Sequence, residues 1–302
     1  MSEWTTTIDA GDRDSWLEAR RHGIGASDAA VVLGLSPWAS PLTLYCDKLG
    51  IAEPEPAELE RLEWGHALEG PIAARYARET GRVVTDPGRY TIRVSADHPF
   101  QIATLDREAV DPVKGPGVVE VKNVGAFRFD EWADEPPLLY QVQLQHQLAV
   151  TGYAWGSLAV LIGGQRFYWI DIDRNQTFIE VLTAIESDFW QRVQALNPPP
   201  PDASEACRDV LRRLFPKEQA GKVVALTADA AEWDERRIEA MAALEDAKTA
   251  KTEAENWLVS ALGDAEAGIL PDGTRYSYKS QTRKGYTVEP ATFRVLRRTG
   301  PK

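Results

Sequence analysis

The sequence predicts an α/β (α+β) chain in which a mixed β-sheet is flanked by helices, followed by an appendage of one long helix and a β-hairpin. Three observations carry this. The predicted elements run helices, strands, a helix, two strands and a helix, the order of a sheet with helices packed on its faces. Two β-rich runs, Gly156–Ile162 and Arg166–Ile172, flank Gly163-Gly164, a hairpin dipeptide. Asn197 precedes four prolines, through which no helix continues, and a long helical stretch lies beyond them.

Taken in order, Asp12–Arg21 reads as a short helix, and Ser27 stands where it caps a second one ending at Gly34. Ser40-Pro41 opens a third, with proline in the first turn and Gly50 past its end. Residues 56–80 read as a longer helix stopped by Gly81, with Gly65 and Gly70-Pro71 as candidate breaks. Strand-like runs follow at Arg82–Thr85, Tyr90–Val94, Gln101–Leu105 and Val118–Lys122. Pro137–Val150 is helical up to Gly152, and Asn175–Leu196 is a long helix. The proline run sets the expected domain boundary, with a core over 1–197, a linker over 198–202 and an extension over 203–302. In the extension, Asp229–Leu262 carries a partial apolar stripe of Trp233, Ile238, Met241, Leu244 and Trp257, expected to pack on the core. Pro271-Asp272-Gly273 turns the closing hairpin.

A chain of 302 residues with 26% charged residues buries a full core and is not globally disordered. Its two cysteines, Cys46 and Cys207, build neither a disulfide framework nor a zinc site. There is no run of about 18 apolar residues and no leader-like start, so a cytoplasmic protein is expected, with no membrane partner. The net charge is −12, which opposes phosphate binding. The charge is uneven, however. Residues 275–302 hold eight basic residues and one acid, a tail of +7 that leaves −19 for residues 1–274.

Asp106 and Glu120-Val121-Lys122 are the candidates for chemistry. Alternation along a strand sends Glu120 and Lys122 to one face and Val119 and Val121 to the other. If the strands bearing Asp106 and Glu120 are neighbours, the two carboxylates converge. Two carboxylates and a backbone carbonyl suit octahedral Mg²⁺ or Mn²⁺, and a lysine beside them handles a water. Glu-x-Lys on a strand is, by itself, usually a solvated cross-strand pair. A second constellation is Arg20 with Gly23, Gly25 and Ser27: glycines allow close backbone approach, a helix start favours an anion, and an arginine clamps it. Arg21 is an alternative to Arg20, and a plain helix cap is the simpler reading. His22, His66, His98 and His146 lack zinc spacing and read as structural. His66 is placed to share a helix face with Glu69. No phosphate-loop lysine motif or glycine-rich nucleotide fingerprint is present.

Several segments stand in one order: Trp16-Leu-Glu-Ala-Arg20 through Ser27-Asp28; Gly34-Leu-Ser-Pro37 with Ser40-Pro41-Leu; Gly65-His-Ala-Leu-Glu69; Ala103-Thr-Leu-Asp106; Val119-Glu-Val-Lys122; and Tyr140-Gln141-Val-Gln143 through Gly152. This ordered set resembles the YqaJ-type viral recombinase (phage lambda exonuclease) family of the PD-(D/E)xK nuclease superfamily. The resemblance implies a PD-(D/E)xK nuclease core and a Mg²⁺-dependent (or Mn²⁺-dependent) 5′→3′ double-strand DNA exonuclease. It implies a trimeric ring beside a single-strand annealing protein, acting on duplex DNA ends in recombination. It casts Asp106, Glu120 and the Val121 carbonyl as metal ligands, and Lys122 as the residue that positions or activates water. It gives Glu69 a supporting role, lets Gln141 hold a phosphate or the water, and makes Arg20 and Ser27 the 5′-phosphate pocket. Trp38 is the candidate for stacking on a DNA end. Arg107 stands where relatives often place glycine, a bulky cation beside the site that contacts either DNA or solvent. Alternatives are a nuclease of the same superfamily acting on single-strand or flap DNA, and a silent DNA-binding assembly module.

Overall fold

The computed structural model describes residues 4–51, 59–126, 132, 135–283, 285, 294, 296 and 298. Glu53, Glu55, Glu58, Lys284, Arg297 and Lys302 lie outside these residues, as does the expected helix start at 56. The chain forms two compact units, Met1–Phe215 and Pro216–Lys302.

The first unit runs β1 (Thr5–Asp9), α1 (Arg13–Arg21), α2 (Ala26–Val32), α3 (Pro41–Lys48), α4 (Leu59–Thr80), β2 (Val83–Thr85), β3 (Thr91–Ser95), β4 (Ile102–Ala103), β5 (Arg107–Asp111), β6 (Gly115–Val124), α5 (Leu138–Thr151), β7 (Trp155–Ile162), β8 (Arg166–Asp173), α6 (Gln176–Gln194) and α7 (Glu205–Leu214). The main sheet has the order β2-β5-β6-β7-β8, and only β6-β7 is parallel. A parallel pair needs a crossover, and α5 supplies it. β1-β3-β4 form a second, antiparallel sheet. The mixed sheet flanked by helices is therefore as the sequence predicts.

β6 is the centre of the main sheet and alternates between two buried faces. Val118 packs with Leu144, Leu148 and Leu158 on the α5 side. Val119 packs with Ile72, Tyr76 and Trp155 on the α4 side. Gly117 is glycine because a Cβ there would overlap the Trp155 indole. On the α4 side Arg82 grips Asp171 with both terminal nitrogens, bonds Asp111 at 2.8 Å, and lies 4.3 Å from the Trp155 ring centroid. Those bidentate bonds hold the guanidinium well above its ordinary pKa, against a smaller effect of burial. On the other face, His146 is fully buried between Glu186 of α6 (2.7 Å) and the Ile102 carbonyl of β4 (3.0 Å). Burial disfavours its charge, but the Glu186 carboxylate outweighs burial and raises its pKa. Its structural reading stands.

Four sequence expectations are corrected. α4 runs unbroken through Gly65 and Gly70-Pro71. β1 and β5 were not read as strands, and Asp106 precedes β5 rather than ending a run that pairs with β6. The boundary falls after Phe215, because α7 lays Cys207, Val210, Leu211 and Leu214 on the cluster containing Ile24, Tyr45 and Phe189. Spacing of three, four and seven is a helical apolar face, and it follows the prolines directly.

The second unit consists of α8 (Ala228–Leu262) and the hairpin β9 (Ala267–Ile269) and β10 (Arg275–Ser277). None of the residues of α8 is buried. Two bases of the tail are engaged within this unit: Arg298 bonds both carboxylate oxygens of Asp234 at 2.9 Å, and Lys279 pairs with Glu266. Among the described residues, no helix is long and apolar enough to cross a membrane.

Candidate active site

β6 sends Glu120 into the interior and Lys122 toward the same face, as alternation requires. Asp106 sits just before β5, whose first residue, Arg107, pairs with Val119. Beyond that pairing β6 has no β5 partner, and Asp106 fills the gap: its Oδ2 accepts the Val121 N–H at 2.8 Å. The Val121 carbonyl lies on the same edge, since both backbone groups of a strand residue point the same way. The aspartate thus pairs with β6 by its side chain where the strand ends.

Glu120 is 3% exposed, and an ionised carboxylate there must be fully bonded. Oε1 accepts from Lys122 Nζ at 2.6 Å and from Gln143 Nε2 at 2.5 Å, and Oε2 accepts from Gln147 Nε2 at 2.6 Å. Lys122 also donates to Gln143 Oε1 at 3.1 Å and lies 5.2 Å from the Tyr140 ring centroid. Burial pushes the Asp106 carboxyl well above its usual pKa, and the neighbouring Glu120 charge adds to that. Burial disfavours the Lys122 ammonium, but Glu120 and Asp106 outweigh it and raise its pKa. Lys122 is therefore a proton-bearing donor here.

The donor chemistry suits a hard divalent cation. Two neighbouring carboxylates and a carbonyl edge supply oxygen only, the donor type a hard divalent cation prefers. Glu69 lines the same cleft but is engaged elsewhere. Arg107 Nη1 bonds Glu69 Oε1 and also the carbonyl of Asp106, and it lies 3.6 Å from Asp86. His66 is 3.9 Å from the other Glu69 oxygen, on the helix face the sequence assigned it. Gln141 is corrected: its amide donates to the Pro136 carbonyl at 2.6 Å, outside the site. On α5, residues 140, 143 and 147 share one face, and 141 is turned about 100° from 140. Gln143 and Gln147 are the glutamines that reach the carboxylate, and i, i+4 spacing was the signal for them.

The second constellation also assembles. Arg20 Nη2 donates to Ser27 Oγ at 3.0 Å, and its guanidinium lies 4.7 Å from the Trp16 ring centroid. Gly25 leaves the room: a Cβ there would stand 3.1 Å from Arg20 Nη2. Ser27 does not cap α2, however. The cap is Gly25, whose N–H is taken by Asp28 Oδ2 at 2.9 Å, so Ser27 is the second helical residue. Gly23 serves packing against the Phe100 carbonyl rather than a ligand. Beneath the pair, Lys48 bonds Asp28 at 2.7 Å and the Arg20 carbonyl at 2.9 Å. Burial alone would raise the Asp28 pKa, but Lys48 and Arg20 outweigh it and bring it down to about 2.

Two overlapping hollows, of about 400 Å³ and 390 Å³, join these groups. Ser27, His66, Glu69, Asp106, Glu120 and Gln143 line both. Arg20 and Arg107 line the first, and Trp38, Val121 and Lys122 the second. Trp38, half exposed, stands in the loop between α2 and α3.

Residues 15–154 match the family model of the YqaJ-like viral recombinase domain. The chain is 32% identical over 262 residues to the uncharacterized protein YqaJ of Bacillus subtilis (strain 168), covering 85% of this chain and 81% of that protein. Among solved structures, an alkaline exonuclease from Laribacter hongkongensis aligns with a TM-score of 0.49 and 22% identity, over 67% of this chain and 97% of that one. The same exonuclease in complex with dAMP aligns with a TM-score of 0.49 and 24% identity.

Two outcomes follow from the geometry. The folded Asp28 pKa lies below the unfolded value near 3.8, so its stabilisation is complete above pH 4 and is lost as pH falls toward 2. Denaturant titrations at pH 5 and pH 2.5 should show about 2 kcal/mol of acid-labile stability that Asp28→Asn removes. Gln143→Leu should cut metal affinity or turnover by roughly 10–100-fold, while Gln141→Leu changes neither by more than a few-fold. Equal effects in both assays would return Gln141 to the site.

Proposed function

The chain belongs to the YqaJ-like viral recombinase domain family, and from that premise we propose that it is a metal-dependent 5′→3′ double-strand DNA exonuclease resecting ends for recombination by single-strand annealing. One observation carries the proposal: half-buried Asp106 and buried Glu120, with Lys122, open into the same cleft as Arg20 and Ser27. One end of the cleft suits a terminal phosphate and the other a scissile one.

Asp106, Glu120 and the Val121 carbonyl would hold Mg²⁺ or Mn²⁺. When bound, that cation polarises the scissile phosphate and lowers the pKa of water in its shell. The remaining work belongs to the chain. Arg20, braced on Trp16, and the Ser27 hydroxyl bind the 5′-phosphate and set the register of the strand. The Lys122 ammonium donates to the attacking water or to a phosphate oxygen and offsets charge gathering there. Gln143 spans Lys122 and Glu120 and fixes both. Water oxygen bonds to phosphorus as its proton passes to solvent, the P–O3′ bond breaks, and O3′ takes a proton from solvent or from Lys122, which solvent then reprotonates. The released nucleotide leaves with a 3′-hydroxyl, and the shortened strand carries a new 5′-phosphate for the same pocket. Trp38, half exposed in the lining of the same cleft, would stack on an end base. A single-strand annealing protein would take the overhang, and a closed homotrimer would keep duplex DNA threaded.

Lys122→Ala should abolish Mg²⁺-dependent digestion of end-labelled linear duplex, a loss on the order of 100-fold or more, with circular dichroism unchanged. Full activity in that variant would remove Lys122 from the mechanism. Wild type should prefer a 5′-phosphorylated blunt duplex over a 5′-hydroxyl one, and Arg20→Ala should erase the preference. No preference in wild type would favour a single-strand or flap nuclease, and binding without turnover a silent assembly module.

A further inference from the structure

We propose that Arg107 stands in for a second metal ion: it neutralises Glu69, and the site binds one divalent cation per chain. This rests on the nuclease reading above and adds the number of cations and the source of the remaining positive charge.

Four acids line the cleft, Glu69, Asp86, Asp106 and Glu120, which invites a second cation between Glu69 and the Asp106–Glu120 pair. The structure fills that place with protein. Arg107 Nη1 bonds Glu69 Oε1, and the same nitrogen bonds the Asp106 carbonyl, which tethers the guanidinium to the backbone of the aspartate itself, just before β5. Asp86, 3.6 Å from Nη1, adds a second anion to the arginine rather than to a metal. Among the described residues, no group of three or more His, Cys, Asp or Glu side chains converges on a point where a metal would sit. Two acids and a carbonyl remain for one cation.

The substitution is chemically sufficient. A guanidinium keeps its charge at any working pH and brings five donors in a rigid fork. Nη1 is committed to Glu69 and the Asp106 carbonyl. Nε and Nη2 make no hydrogen bond to the described residues and can address a phosphate oxygen in the cleft. The arginine side chain is 15% exposed, on the cleft side, and is held before substrate arrives. Charge fixed in advance is worth more than charge recruited, because no reorganisation is needed during the reaction.

The test counts cations directly. Mn²⁺ is titrated into the full-length protein without DNA, by calorimetry and by electron paramagnetic resonance, for wild type, Arg107→Lys, Arg107→Gly and Arg107→Gly/Glu69→Gln. Wild type should bind one Mn²⁺ per chain. Arg107→Gly should bind two, since Glu69 is released, and the double variant should return to one. Arg107→Lys should still bind one, because an ammonium also neutralises Glu69, but should lose turnover by roughly tenfold for want of the fork. Arg107→Gly should lose on the order of 100-fold in turnover at low Mg²⁺, and part of that should return as Mg²⁺ is raised. Two Mn²⁺ in wild type, or one in a folded Arg107→Gly, overturns the proposal while leaving the nuclease reading intact. A wild type that binds no cation and digests no DNA overturns both.

Discussion

Burying the Glu120 carboxylate is the constraint on which the site depends. An unpaired charge in a dry interior costs several kcal/mol, and this one sits in the middle strand of the main sheet with almost no exposure. Its donors come from two places: Lys122, two residues along the same strand, and Gln143 and Gln147, one turn apart on α5. The crossover helix is therefore locked in rotation. Turning α5 by one residue would carry both amides away and leave the carboxylate with Lys122 alone. That requirement also explains why α5 is polar inside. Gln145 and His146 are buried as well, and each is bonded to a neighbouring element, Asp173 and Asn175 for the first, Glu186 and Ile102 for the second. A helix with polar residues on nearly every side gains orientation from them, since few rotations satisfy all of them together.

The same logic extends along the cleft. Arg20 is held over Trp16, and its own carbonyl is bonded by Lys48, which also fixes Asp28; Asp28 in turn caps α2 through Gly25. The Arg20–Ser27 end is therefore built on an ionic cluster and not on a loose loop. Rigid placement at both ends fixes the distance between the Arg20–Ser27 pair and the acidic pair. Under the proposed reading, that fixed distance would set the step length as a property of the protein.

Much of this was legible in the sequence where one local rule decided the outcome. Strand alternation placed Glu120 and Lys122 on one face, Gly163-Gly164 turned the hairpin with both residues at positive φ, and Ser40-Pro41 opened α3. The rest depended on tertiary partners. β5 reads Arg-Glu-Ala-Val-Asp, a poor strand by propensity, and is a strand because β2 and β6 bracket it. Ser27 looked like a cap, but Asp28 could reach back to Gly25 and moved the cap by two positions. Gln141 resembled a site residue by position in a motif, whereas α5's rotation is set by Glu120. α7 was readable from its spacing, and the proline run before it drew the boundary too early. Among the named site residues, Arg107 is the one whose role no sequence pattern could supply, because its partner Glu69 lies 38 positions away on another element.

Net charge, which opposed DNA at first, has a local resolution within the first unit. Arg13, Arg20, Arg89, Arg107 and Lys122 all line the two hollows, interleaved with the acids that would hold a cation. The basic tail, which seemed the natural source of positive potential, is partly spent in its own unit, where Arg298 grips Asp234 and Lys279 pairs with Glu266. Attraction for phosphate is therefore better supplied by cations fixed inside a cleft of low dielectric than by the tail or by the total charge. A net charge of −12 opposes non-specific polyanion binding, and the cations lining the cleft would be the local exception. Under the proposed reading, the acidic total and the cation-lined cleft would be two parts of one device, in which net charge would limit where DNA binds and the cleft would decide that it binds.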